Sequence, residues 1–74
     1  MSPTKAAIAA LIKASHTAGE TEVWSTNSLG EAVIVQYVHM MNSVITGQRV
    51  TTFRVAVLKK RENGEWHVAN NIIA

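Results

Sequence analysis

Few side chains in this sequence could carry chemistry, and carboxylates are not among them. The acids are Glu20, Glu22, Glu31, Glu62 and Glu65, with no aspartate. All five fall at strand ends or in the first strand, positions that face water. No paired-carboxylate arrangement for general acid–base work can be drawn from them. Histidine is the remaining acid–base type. His39 lies two residues from Tyr37 in an extended run, which puts both on one face of a strand. The following strand should bring Arg54 or Val55 opposite, so a His–Tyr–Arg cluster on a concave sheet is expected, a polar spot in an apolar pocket. The plainer reading, and the preferred one, keeps His39 and Tyr37 as partly buried sheet residues at a subunit interface, bonded to backbone.

Other chemistries find less support. His16, His39 and His67 are far apart and cysteine is absent, so neither a metal site nor a disulfide is expected. His67, beside a basic strand end, should be exposed. Serine and threonine lack any nucleophile context. The glycines Gly19, Gly30, Gly47 and Gly64 each mark a turn or helix end and form no phosphate loop. No cofactor is implied. Lys59, Lys60 and Arg61 are clustered, yet too few to spread a phosphate-binding patch over a face, so nucleic acid is not an expected partner. Asn70 and Asn71 are unusual in a closing strand, and one of them must face inward. Trp24 and Trp66 suit a core, a pocket mouth or an interface, where tryptophan gives large contact area. The candidate ligand-binding set is Tyr37, His39, Arg54, Trp66 and Asn70, with no catalytic residue assigned.

The elements that must position these residues can be read from pattern. Pro3 to Ala18 has the character of an amphipathic helix. Ser2 can cap it, Pro3 suits its first position, and Ile8, Leu11, Ile12 and Ser15 recur along one stripe. Lys13 and His16 suit its carboxyl end, and Gly19 suits a left-handed stop. Lys5 with the apolar run after it loosely mimics a signal peptide, but the helix explains the same residues better. No stretch is long enough to span a membrane, and a cytoplasmic setting is the default.

Four strands are expected next: Glu20 to Asn27, Ala32 to about Val44, Arg49 to Arg61, and Glu65 to Ile73. Ser28–Glu31, Thr46–Gln48 and Asn63-Gly64 turn the chain between them. Such short connections predict an antiparallel meander. A two-residue turn at Asn63-Gly64 would set Glu62 against Glu65. A three-residue turn with Gly64 left-handed sets Arg61 against Glu65 and is preferred. It places Leu58, Trp66 and Val68 on one face, and Val55, Val57 and Ala69 on the other.

Ala32 to Met41 is apolar on both faces. Val33, Val35, Tyr37 and Met41 point one way; Ala32, Ile34, Val38 and Met40 point the other. An antiparallel sheet in a small monomer normally keeps one wet face. The chain has 74 residues, 47% hydrophobic and 16% charged, with net charge +2. A single core is barely sufficient at that size. Leaving four such side chains in water would forgo roughly 6–12 kcal/mol, against about 5–15 kcal/mol for a whole domain. A homodimer or higher symmetric oligomer is therefore expected.

The order of segments resembles a known family. An Ala-rich helix leads to Gly30-Glu31-Ala32-Val33-Ile34-Val35, then Thr46-Gly47-Gln48-Arg49-Val50 and Phe53-Arg54-Val55-Ala56-Val57. It closes with Arg61-Glu62-Asn63-Gly64-Glu65-Trp66-His67-Val68-Ala69. This resembles the C-terminal half of the nuclear transport factor 2-like superfamily, the cone fold shared with ketosteroid isomerase and polyketide-cyclase-type proteins. The resemblance runs from Lys5 onward and rests on hairpin and sheet motifs. It implies a strongly coiled sheet lacking the family's earlier helices and short strands. The expected fold is α+β, one N-terminal helix on a coiled four-stranded antiparallel meander, one domain over residues 1–74, completed by dimerisation. The leading functional expectation is a non-catalytic binder of a small apolar molecule, held between sheet and helix or between subunits. A minimal isomerase- or cyclase-like enzyme using His39 and Tyr37, and a protein-interaction module, are the alternatives.

Overall fold

In a computed structural model, which describes residues 3–74, one helix precedes four strands. Helix α1 spans Lys5–Ala14, shorter at both ends than the pattern suggests. Thr4 caps it, its hydroxyl accepting from the Ala7 N–H at 3.1 Å. The expected cap, Ser2, lies outside the described residues, and Pro3 precedes the helix. At the other end the Ser15 hydroxyl donates to the Ile12 carbonyl at 2.6 Å, and the Ser15 N–H also turns back onto that last turn. A serine hydroxyl competes in this way with the helix ladder. Gly19 is therefore not the helix stop; it lies in the connection to the sheet.

Strands β1 (Glu20–Leu29), β2 (Ala32–Asn42), β3 (Arg49–Lys60) and β4 (Trp66–Ile73) form one sheet in the order β1-β2-β3-β4, every pair antiparallel. The α+β meander is thus as the pattern predicts. β1 runs to Leu29, which pairs with Ala32, so Gly30-Glu31 alone make the turn. β2 stops at Asn42 instead of Val44, because the Ser43 and Gly47 N–H groups close a wider loop through Gln48 and Ser43 carbonyls. The last hairpin closes by the Arg61 N–H on the Glu65 carbonyl, 2.7 Å, with Gly64 at φ 90°. That is the three-residue turn.

Two β-bulges set the side-chain directions. In β1, Val23 faces Tyr37 and Ser25 faces Gln36, leaving Trp24 as the extra residue. In β4, Val68 faces Leu58 and Asn70 faces Val57, leaving Ala69 as the extra residue. A bulge sets two residues against one and reverses the alternation beyond it.

The core lies between α1 and one sheet face. Ile8 and Ile12 pack on Val33, Val35, Tyr37, Ala56 and Leu58, with Leu11, Val23, Trp66 and Val68 around them. This interior is filled with side chains. Yet α1 has 10 residues, about 15 Å, whereas β3 has 12, about 40 Å. The helix hides only part of that face. The opposite face, called outer below, carries Ile34, Phe53, Val55, Val57 and Ile72 by register. Trp24 joins them, its ring edge-on to Phe53 at 5.4 Å and 74°.

Ile12 is fully buried at the centre of the helix–sheet contact. Ile12→Ala is expected to cost about 2–5 kcal/mol, because the sheet cannot close over the lost methylenes. A urea titration checks this. A change within 0.5 kcal/mol would mean that α1 contributes little to the fold.

Candidate functional site

Past the carboxyl end of α1 the chain doubles back over the sheet, and the polar side chains gather there. Tyr37 and His39 project toward the helix side from β2. Arg54 pairs with Tyr37 in β3, and Thr52, rather than Arg54 or Val55, pairs with His39. Asn71 pairs with Ala56 in β4 and shares the same face.

A directed chain of hydrogen bonds joins these residues. The Arg54 Nε–H donates to Asn71 Oδ1 at 2.8 Å. Arginine has donors only, so this contact fixes the amide orientation. Asn71 Nδ2–H can then donate to the Tyr37 hydroxyl oxygen, 2.6 Å away. The Tyr37 proton remains, and His16 Nε2 lies 2.6 Å from that oxygen. The consistent assignment has Tyr37 donating to a neutral His16. The His16 pKa is lowered from its ordinary 6.5, first by burial and then by the electrostatic influence of His39 and Arg54. Bonds aligned in this way reinforce one another.

His39 anchors the connection from below. Its Nε2–H donates to the Ala18 carbonyl at 2.7 Å, and its ring stacks on His16 at 4.0 Å and 13°. Gly19 presses against the same spot: a Cβ there would come within 2.5 Å of the Met40 carbonyl oxygen and 2.7 Å of His39 Nε2, and its φ is +86°. Only glycine fits such an approach in that conformation. The loop from Ser15 to Gly19 is thus fastened to the sheet by two histidines and a tyrosine.

Of the expected set, the structure brings Tyr37, His39 and Arg54 together. Trp66 lies elsewhere, at the start of β4 on the rim of the core. Asn70 is on the outer face, opposite Val57, and Asn71 is the inward asparagine. The bulge at Ala69 causes that exchange: simple alternation from Trp66 and Val68 would have aimed Asn70 inward. His16 is the member missed in the sequence, where it reads only as a charge suited to a helix end. His67 is not exposed; it is half-buried, with Nδ1 out of solvent and without a hydrogen-bond partner. All five glutamates are exposed, and Glu20 pairs with Arg49 at 2.9 Å.

Beyond the polar cluster the same sheet face is bare. Met41 and Val50 pair with each other and Ile73 pairs with Arg54, and all three apolar side chains are exposed. Elsewhere a groove of about 410 Å³ runs between α1 and β1, lined by Lys5, Ile8, Ala9 and Val23 among others. A wider one of about 660 Å³ lies at the other end, beside Leu29, Lys59, Arg61 and Trp66. Among the described residues no three His, Asp or Glu side chains converge as metal ligands, and no helix is long and apolar enough to cross a membrane. Comparison of the chain with protein-family models, with curated proteins and with solved structures finds no match.

Two measurements test the cluster. Tyr37→Phe leaves Asn71 Nδ2 and His16 Nε2 unpartnered and is expected to cost about 1–3 kcal/mol in chemical denaturation; a neutral result would dissolve the proposed chain of bonds. With its folded pKa lowered, His16 binds fewer protons when folded than when unfolded, so its contribution is full above 6.5 and fades as pH falls toward the folded value. The urea midpoint should drop between roughly pH 7.5 and pH 5.5, and His16→Asn should flatten that drop. An unchanged slope in the variant would contradict it.

Proposed function

We propose that this chain is a non-catalytic binding subunit that works as a symmetric pair and holds a small apolar molecule. The observation that carries the reading is that apolar side chains stand exposed on both faces of one sheet. On the outer face Trp24 is 62% exposed, Phe53 52%, Ile72 54% and Leu29 69%. With the half-buried Ile34, Val55 and Val57 they form one apolar patch on that face, of the kind that a standard interface, burying about 800 Å² on each partner, covers. Exposed apolar patches of that kind mark interaction sites. Two such faces related by a two-fold axis would stack as paired sheets about 10 Å apart.

The pairing leaves the helix side for a ligand. Ile8 and Ile12 occupy the centre of the helix–sheet contact, and we place the molecule beyond the helix end, over the exposed Met41, Val50 and Ile73, in preference to the groove between α1 and β1. A place in the nuclear transport factor 2-like superfamily, with a cytoplasmic setting, goes with this reading. What supports the family is the order of helix, long strands and closing hairpin. The isomerase-style reading has weaker support. Tyr37 is buried with its hydroxyl committed to His16 and Asn71, and His39 Nε2 is committed to Ala18. These bonds hold the chain together more readily than they would serve a substrate.

Sedimentation equilibrium across the micromolar range should return twice the 8.0 kDa chain mass, and Phe53→Glu should return the single mass while keeping the far-ultraviolet spectrum. A folded single subunit at every concentration would remove the pair. Added decanol should shift the Met41, Val50 and Ile73 methyl resonances; silence there would remove the ligand.

A further inference from the structure

The uncovered half of the helix-side face is not uniformly apolar. Arg54 stands in its middle, between Thr52 on its own strand and Ile73 across the ladder. It is half-buried, and its only recorded hydrogen bond is from Nε to Asn71. Among the described residues the one ion pair is Arg49 with Glu20, so Arg54 has no carboxylate against it. Arg49 and Glu20 belong to the outer-face positions, since they pair with Asn42 and Met40 in the register. The guanidinium nitrogens beyond Nε are therefore uncommitted. A partly buried cation without a counter-charge is costly unless something anionic meets it.

The groups around it sharpen the chemistry. His16, Tyr37, His39, Asn71 and Thr52 share its face, and none of them is a carboxylate. Asn71 Oδ1 is already used by Arg54 itself, which locks the guanidinium plane in one orientation. A fixed fork of N–H donors matches a carboxylate in two-point contact. Outward from it the exposed surface is aliphatic: Met41 and Val50 toward the β2–β3 loop, and Ile73 at the end of β4. A cation at one end of an aliphatic shelf selects a molecule with an anionic head and a hydrocarbon body.

We propose that Arg54 receives the carboxylate of a free aliphatic acid, whose chain lies along Met41, Val50 and Ile73 on the part of the sheet that α1 leaves bare. The proposal rests on the apolar-binder reading above and narrows it to one ligand class. The helix end, fastened through His16 and His39, forms the wall against which the head group stops. Arg54 is a binding residue here and Asn71 positions it.

The experiment compares decanoate with decanol on the intact protein, by calorimetry and by amide and methyl resonance shifts, below the micelle concentration of the acid. Decanoate should bind at least about tenfold more tightly than decanol, the expected advantage of a charge-assisted contact. Its shifts should centre on His39, Val50, Thr52 and Ile73. Arg54→Gln should bring decanoate down to the affinity of decanol while leaving decanol unchanged. Equal binding of the two by the wild type overturns the carboxylate assignment and leaves the apolar-binder reading standing, a comparison that needs no variant to fold. Failure of both molecules to bind overturns the two together. Shifts centred on Trp24 and Phe53 would overturn it by moving the ligand to the outer face. Concentration-dependent shifts at Val50 and Thr52 without ligand would overturn it by assigning the shelf to a second copy.

Discussion

A helix of about 15 Å cannot cover a sheet of about 40 Å, and most of what is unusual in this chain follows from that mismatch. The four strands are long because the hydrophobic runs are long, and they pair as a meander because every connection is short. Such a sheet has two sides, and the sequence makes both apolar. α1 closes one part of one side with Ile8 and Ile12. Beyond Ala14 the loop to β1 covers Tyr37 and His39; past them on that side, and over most of the outer side, where Val38 is buried, the sheet is left for other material.

The chain handles the border between covered and uncovered surface with polar groups instead of more apolar ones. Where α1 ends, its last carbonyls and the loop to β1 need partners. Tyr37, His39, Asn71 and Arg54 stand beneath the loop, and His16 reaches down from it. The loop is held by specific bonds at the place where hydrophobic contact gives out. Gly19 lets the backbone approach closely enough for this to happen. At the border of that cluster Arg54 stands beside the exposed Ile73, and the ligand reading begins there.

Much of the fold was legible because the signals were local. The meander, the Arg61–Glu65 turn and the two-sided character of β2 came from alternation and turn chemistry. Tyr37, His39 and Arg54 could be grouped for the same reason, since parity within a strand is reliable while the ladder is regular. Three features escaped. The bulge at Ala69 reverses parity in β4, so Asn71 and not Asn70 faces inward; nothing in the residue types announces the extra residue. The bulge at Trp24 likewise reverses parity in β1, so Ser25 follows Trp24 onto the outer face and Thr26 turns to the helix side. His16 escaped for another reason: its partners are 21 and 23 residues away, and only the fold brings it onto Tyr37 and His39. Long-range polar contacts of this kind leave no periodicity to find.

The central claim is that the outer face is covered by a second copy of the chain. Trp24 reports on that face, and Trp66→Phe makes it the sole tryptophan. As concentration rises through the micromolar range its emission should move to shorter wavelength, as the ring leaves water. Emission that stays at the solvent-exposed wavelength at every concentration, while circular dichroism reports a folded chain, would contradict the account.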